Sequence, residues 1–266
     1  MSGFVEALVP CAALVAAYMT LWFVVALIKR DNSVADIAWG LGFVVVVAYV
    51  FFYRRTSLFL PVLTGSLVAV WGLRLSFHIF RRNWKNGEDA RYAAWRAKWG
   101  RSFVWRSYLQ VFLLQGLFML VIVWPAILVN TTRWGVPPGA RGRGAWAAGL
   151  LVWAAGFLFE AVGDAQLARF KKDPANKGKI MDRGLWRYTR HPNYFGESLM
   201  WWGIFLFALE VPYGWATVVS PVLITFLLVR VSGIPLLERR YAGNAEFQAY
   251  ARRTSAFVPW FPKRLS

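Results

Sequence analysis

Hydrophobic positions along the chain come in blocks rather than in alternation. Seven apolar stretches stand out: Phe4–Ile28, Val34–Phe52, Leu58–Phe80, Leu109–Val129, Ala145–Leu167, Asn193–Leu209 and Gly214–Leu237. A run of roughly 20 apolar residues crosses a bilayer as a helix, and a backbone inside lipid must satisfy its own hydrogen bonds. The pattern predicts an all-α, polytopic membrane helical bundle of about seven transmembrane helices. A β-barrel would need alternating segments of about ten residues, which the chain lacks. No separate soluble domain fits between the blocks, so residues 1–266 read as a single transmembrane domain. The first block has no basic n-region and no small-residue cleavage site, and reads as a retained helix.

Charge orients this pattern. With the N-terminus outside and the spans alternating, 24 of the 31 Lys and Arg fall in inside segments, 5 fall outside and 2 lie within spans. Such a split favours an odd number of helices and a cytoplasmic C-terminus. It also accounts for most of the formal charge of +18, which in a soluble chain would point to nucleic acid. No nucleic-acid partner is expected, and the chain reads as a multi-pass protein of a bacterial inner membrane. Mean hydropathy is +0.42 and 58% of residues are hydrophobic. Many aromatics flank the spans as interfacial anchors, including Trp84, Trp95, Trp99, Trp105, Trp134 and Trp215. Pro137 and Pro138 mark a plain external loop. The one cysteine, Cys11, excludes a disulfide framework, and with only His78 and His191 no standard metal site is expected.

Ionisable residues inside spans are costly and usually functional. Glu160 and Asp164 share one face of the fifth span, Glu197 starts the sixth, Asp36 opens the second, and Arg74 and Arg230 lie in the third and seventh. They either pair as salt bridges that orient the bundle or line a polar pocket open to the cytoplasm. The densest polar run, Phe170 to Glu197, ends in GLWRYTRHPNYFGE at 184–197. Pro192 suits the first turn of a helix, whose N-terminus attracts anions. Arg187 and Arg190 add forked donors that match phosphate, and His191 orients the loop or a phosphate. Asn193 and Glu197, four apart, can hold the carboxamide or ribose hydroxyls of a nucleotide. The alternative is a basic interfacial loop that binds anionic lipid heads. A second mixed-charge loop, Arg81 to Tyr92, lies on the same side.

The run at 184–197, with Glu160, Asp164 and FKKDPANKGK at 170–179, resembles the bacterial steroid 5α-reductase-like family, long labelled a domain of unknown function (1295). DIAWGLGF, RRNWKNGEDARY, SGIPLLE and FVPW extend the resemblance over nearly the whole chain. It implies a seven-helix fold related to the 3-oxo-5-alpha-steroid 4-dehydrogenases. NADPH would be held mainly by 74–92 and 157–250. Its contacts would be Glu160, Asp164, Lys171, Asn193 and Glu197, with Arg74 and Arg230 as cofactor arginines. Arg190, Tyr194, Asn83 and Arg91 would join them. The substrate end departs from that pattern. The steroid enzymes use a Glu on the second helix and a Tyr on the third, where this chain places Asp36 and Trp71.

The expected reaction is NADPH-dependent reduction of a C=C bond conjugated to a carbonyl. The lipophilic substrate would enter from the bilayer. Negative charge develops on the carbonyl oxygen, so a proton or hydrogen-bond donor must meet it. Asp36 is the first choice if protonated, and Tyr49 or Tyr18 can supply a phenol instead. The rival is an S-adenosylmethionine-dependent membrane methyltransferase of the isoprenylcysteine or phospholipid type. Those enzymes carry a similar Arg-His-Pro-x-Tyr turn and a late Glu, here Glu238. A third reading, a lipid-binding or transport bundle, would show repeated halves or broken mid-membrane helices, and neither is evident. The oligomeric state is left open.

Overall fold

The computed structural model describes residues 2–55, 58–83, 87–132 and 144–263. Trp84, Lys85, Arg133, Trp134, Pro137, Pro138, Arg141, Arg143 and Arg264 lie outside the described residues. Among the described residues the chain is all-helical, with no strand beyond a parallel bridge between Thr189 and Ser255. Eleven α-helices are named in chain order: α1 Ser2–Lys29, α2 Val34–Arg54, α3 Phe59–Asn83, α4 Ala90–Trp99, α5 Phe103–Arg106, α6 Leu114–Thr131, α7 Ala145–Lys172, α8 Pro192–Ala208, α9 Val219–Phe226, α10 Ile234–Arg239 and α11 Ala245–Arg253.

Six described stretches are long and apolar enough to cross a membrane: Phe4–Lys29, Val34–Arg54, Phe59–Asn83, Ala90–Thr131, Ala145–Lys172 and Gly214–Arg239. They mark a multi-pass membrane protein. The sequence pattern also expects a span at Asn193–Leu209. That stretch is α8, whose 17 residues rise about 26 Å, at the lower limit for crossing the hydrocarbon core. Whether the bundle has six or seven spans turns on this one helix.

The chain packs as two compact units, Met1–Arg141 with Phe207–Thr217, and Gly142–Leu206 with Val218–Ser266. In the first, α2 packs against α1, α3 and α6. Between α2 and α3 the backbones approach closely. A Cβ on Gly40 would stand 2.6 Å from the Gly72 carbonyl oxygen, and one on Gly72 would stand 2.5 Å from that of Gly40. Small residues allow this approach where no hydrophobic force drives helices together in lipid. Ser76 Oγ donates to the Ile37 carbonyl across the same contact at 2.9 Å. Trp71 is buried there, its ring edge-on to Phe43 at 5.2 Å.

The sequence places 81–108 between spans, with a polar loop at Arg81 to Tyr92, but the chain is helical through most of 90–108. Asp89 caps α4 by accepting from the Arg91 N–H at 2.9 Å. A 3-10 turn, α5 and a π-helical stretch at Ser107–Leu113 then lead into α6.

In the second unit, the buried face of α7 holds Gly149, Trp153, Gly156, Glu160, Gly163 and Asp164. No aliphatic side chain is among them. The aliphatic residues Leu151, Leu158 and Val162 lie on the exposed side. A helix that buries glycine and carboxylate while turning leucine outward suits a lipid surround and an internal polar task.

Candidate functional site

The central feature of the second unit is the seam between α7 and α8. Glycines seven apart share one helix stripe, and here they meet in antiparallel tiers. A Cβ on Gly203 would stand 2.7 Å from the Gly149 carbonyl oxygen. One on Gly196 would stand 2.4 Å from that of Gly156 and 2.5 Å from the Glu160 nitrogen. Gly163 faces Pro192 at the third tier. The two backbones are therefore locked in register, and the register fixes the polar residues. Asn193 Nδ2 donates to Asp164 Oδ1 at 3.2 Å. The carboxylate accepts only, so it fixes which end of the amide is nitrogen. Asn193 Oδ1 is buried and has no hydrogen-bond partner among the described residues. Glu160, 2% exposed, lies against Gly196, and Glu197 follows Gly196 and is buried too. Glu160, Asp164 and Asn193 thus belong to one seam, and Glu197 is buried on α8.

The loop before α8 is built as a clamp. Gly184 takes φ +60, a left-handed conformation that suits glycine. This lets the Leu185 N–H donate to Gln166 Oε1 at 3.0 Å. Trp186 Nε1 donates to the Gly163 carbonyl at 3.0 Å, and the Tyr250 hydroxyl donates to the Trp186 carbonyl. Arg190 spends four of its five donors inside this unit. Nε and Nη2 donate to Glu238 Oε1 and Oε2 at 2.8 and 3.1 Å. Nη1 donates to the Ala251 and Thr254 carbonyls at 3.0 and 2.5 Å. His191 Nε2 meets Glu238 Oε1 at 3.0 Å, and its ring stacks on Tyr194 with centroids 5.5 Å apart. Arg190, read from the sequence as a phosphate ligand, is thus committed to Glu238 and the C-terminal carbonyls. Its guanidinium ties α10 and α11 to the start of α8. Lys171, Arg187 and Arg230 are exposed cations of the same unit.

The remaining sequence-predicted residues belong to the first unit. Asp36 is ion-paired: Arg91 Nη2 donates to Oδ2 at 2.6 Å and the Tyr92 hydroxyl donates to Oδ1 at 2.7 Å. Arg91 is further held by Asp89 at 3.0 Å. Tyr49, the alternative phenol, lies 13 residues from Asp36 on α2, about 20 Å along the helix. It stacks on Tyr53 at 5.8 Å, and the Tyr18 hydroxyl donates to the Ala38 carbonyl at 2.9 Å. Arg74 is half-buried on α3, and Asn83 Oδ1 accepts from Arg82 at 3.1 Å.

Two residues stand out that spacing did not single out. Tyr92 is buried with its phenol on Asp36. Glu88 receives Arg96 at 2.9 and 2.7 Å and the Asn32 N–H at 2.9 Å. Burial disfavours the Glu88 carboxylate, but these hydrogen bonds and the Arg96 charge outweigh it and hold the group below its ordinary 4.5. Burial holds His191 below its ordinary 6.5 against the opposing pull of Glu238. Both groups bind a proton less readily in the folded chain than in the unfolded one, so the unfolded chain takes up protons first as pH falls. Stability is expected to be full above 6.5 and to decline in acid, through His191 below 6.5 and then through Glu88 below 4.5. Melting curves in detergent across this range check it. The His191→Gln variant should lose the first step, and an unchanged profile would contradict the assignment.

The two units differ in what they can do. The α7–α8 seam offers a buried acceptor, Asn193 Oδ1, to a ligand that brings a hydroxyl or amide donor. The Asp36 network sets the Tyr92 phenol beside an ion-paired carboxylate. No curated protein and no solved structure matches the chain. The profile of the family described as "Protein of unknown function (DUF1295)" matches residues 22–254, across both units, and the chain belongs to that family.

Proposed function

We propose that this protein is a membrane-embedded reductase that uses NADPH to saturate a C=C bond conjugated to a carbonyl in a steroid-like or other lipophilic substrate. The observation that carries the reading is the α7–α8 seam, where Asn193 leaves a buried acceptor oxygen beside carboxylates fixed in register. A nicotinamide carboxamide N–H would satisfy that oxygen, and ribose hydroxyls would be held by carboxylates of the Glu160, Asp164 and Glu197 set. Carboxylates repel phosphate, so the phosphates belong with the exposed Lys171, Arg187 and Arg230. Arg190, with His191, holds the start of α8, which carries Asn193 and Tyr194. When bound, the nicotinamide supplies a hydride to the electron-poor carbon. The chain supplies orientation, exclusion of water and the proton. The N-terminus outside and the C-terminus in the cytoplasm of a bacterium complete the proposal, as the charge split favours.

A second reading has one observation in its favour. Glu238 meets both Arg190 and His191. That brings together the turn and the late glutamate whose pattern resembles the isoprenylcysteine and phospholipid methyltransferases. Calorimetry on detergent-purified protein with NADPH and with S-adenosylmethionine separates the two. NADPH binding is expected, weakened about tenfold to a hundredfold in Asn193→Ala, the range for a lost buried hydrogen bond of about 1–3 kcal/mol. Binding of the methyl donor alone would overturn the reductase. Unaltered NADPH affinity in the variant would move the site elsewhere.

A further inference from the structure

We propose that the C-terminal segment 254–263 is an interfacial anchor. It presents Val258, Trp260 and Phe261 to the headgroup layer of an anionic membrane surface, while its backbone is fixed to the loop ahead of α8. These three side chains are 56%, 71% and 76% exposed, although the chain that carries them is firmly held. The Arg190 N–H donates to the Ser255 carbonyl at 2.8 Å, and Thr189 Oγ1 donates to the Phe257 carbonyl at 2.8 Å. The Trp260 N–H donates to the Tyr188 carbonyl at 2.9 Å, and the Lys263 N–H donates to the Arg253 carbonyl at 2.9 Å. Phe257 turns inward, edge-on to Phe195 at 5.7 Å. The segment therefore sorts its apolar residues: one fastens it to the unit and three are held outward at a fixed height. Ordering a chain so as to expose aromatics is unfavourable in water and favourable where a half-apolar phase receives them.

Charge selects that phase. The neighbouring stretch 169–190 carries eight Lys and Arg against Asp173 and Asp182; Asp182 is paired with Arg253, and Arg190 with Glu238. Tryptophan and phenylalanine beside this excess of positive charge, at the end of helices whose outer faces show Leu151, Leu158, Val222 and Phe226, match the boundary of an anionic leaflet.

The proposal is independent of which nucleotide the unit binds, and so is its test. Cys11 is buried, so spin labels can be placed on Phe261→Cys and Val258→Cys in a Cys11→Ala background, with Lys177→Cys on an exposed loop as reference. The full chain is reconstituted into vesicles of phosphatidylcholine with or without phosphatidylglycerol. Collision with oxygen is compared with collision with a water-soluble nickel chelate. The labels at 258 and 261 should favour oxygen over nickel several-fold more than the label at 177, and phosphatidylglycerol should increase the difference. Equal ratios at all three positions would place the segment in water. Protection from both reagents would mean that a second copy or another protein covers it. Either result overturns the anchor.

Discussion

Replacing Glu238 with alanine is expected to cost the folded protein about 3 kcal/mol, the low end of the range for a buried pair that loses one partner. Arg190 and Glu238 side chains are 12% and 23% exposed. In the variant the guanidinium keeps only the Ala251 and Thr254 carbonyls, and a nearly buried cation is left without its counter-charge. His191 loses its acceptor in the same step. The loss is expected in the melting temperature of detergent-solubilised protein. Glu238→Gln should lose less, because an amide oxygen still accepts. The double variant Arg190→Gln with Glu238→Gln should recover part of the deficit, since no lone charge remains, and the coupling is read from the double-mutant cycle. Strict additivity would mean that the two side chains do not act as a pair. The start of α8, which carries Asn193, is held through this cluster, so nucleotide affinity in Glu238→Gln should fall along with the melting temperature.

The sequence made the bundle readable because the bilayer imposes a length. Six of seven apolar blocks coincide with spans, and the block expected at 193–209 is offset by one residue from α8, which starts at Pro192. The helix from Ala90 was missed because Arg91, Arg96 and Lys98 depress its hydropathy, although Asp89 stood in place to cap it. The contact of Asn193 with Asp164, beside Glu160, was within reach because spacings of four repeat a helix face. The pairing of Arg190 with Glu238 was not, since 48 residues separate them and no local period carries that information. The pairing of Asp36 with Tyr92 escaped for the same reason. The glycine register was visible as Gly149, Gly156 and Gly163 against Gly196 and Gly203. It went unread because hydropathy scores a glycine as weakly apolar and says nothing of the room it leaves.

That room sets the other large effect. Gly196→Leu is expected to destabilise the protein by at least about 3 kcal/mol, the upper end for overpacking, and to abolish nucleotide binding in whatever protein folds. The first atom added at Gly196 would already stand 2.4 Å from the Gly156 oxygen and 2.5 Å from the Glu160 nitrogen. Both are backbone atoms that cannot rotate away, so α8 must move off α7. Even Gly196→Ala requires that movement and should cost about 1–3 kcal/mol. The Asn193–Asp164 bond, at 3.2 Å, has little slack before it exceeds hydrogen-bonding distance. The seam should therefore lose its ligand geometry before the bundle loses its fold. Gly65 on α3 is the matched control. Nothing lies within 4 Å of a Cβ there, so Gly65→Ala should be neutral or stabilise the helix by up to about 1 kcal/mol. Opposite signs for two glycine-to-alanine changes, read by melting in detergent and by NADPH calorimetry, would tie the site to the helix contact. Intact binding in Gly196→Ala would separate the ligand from the seam.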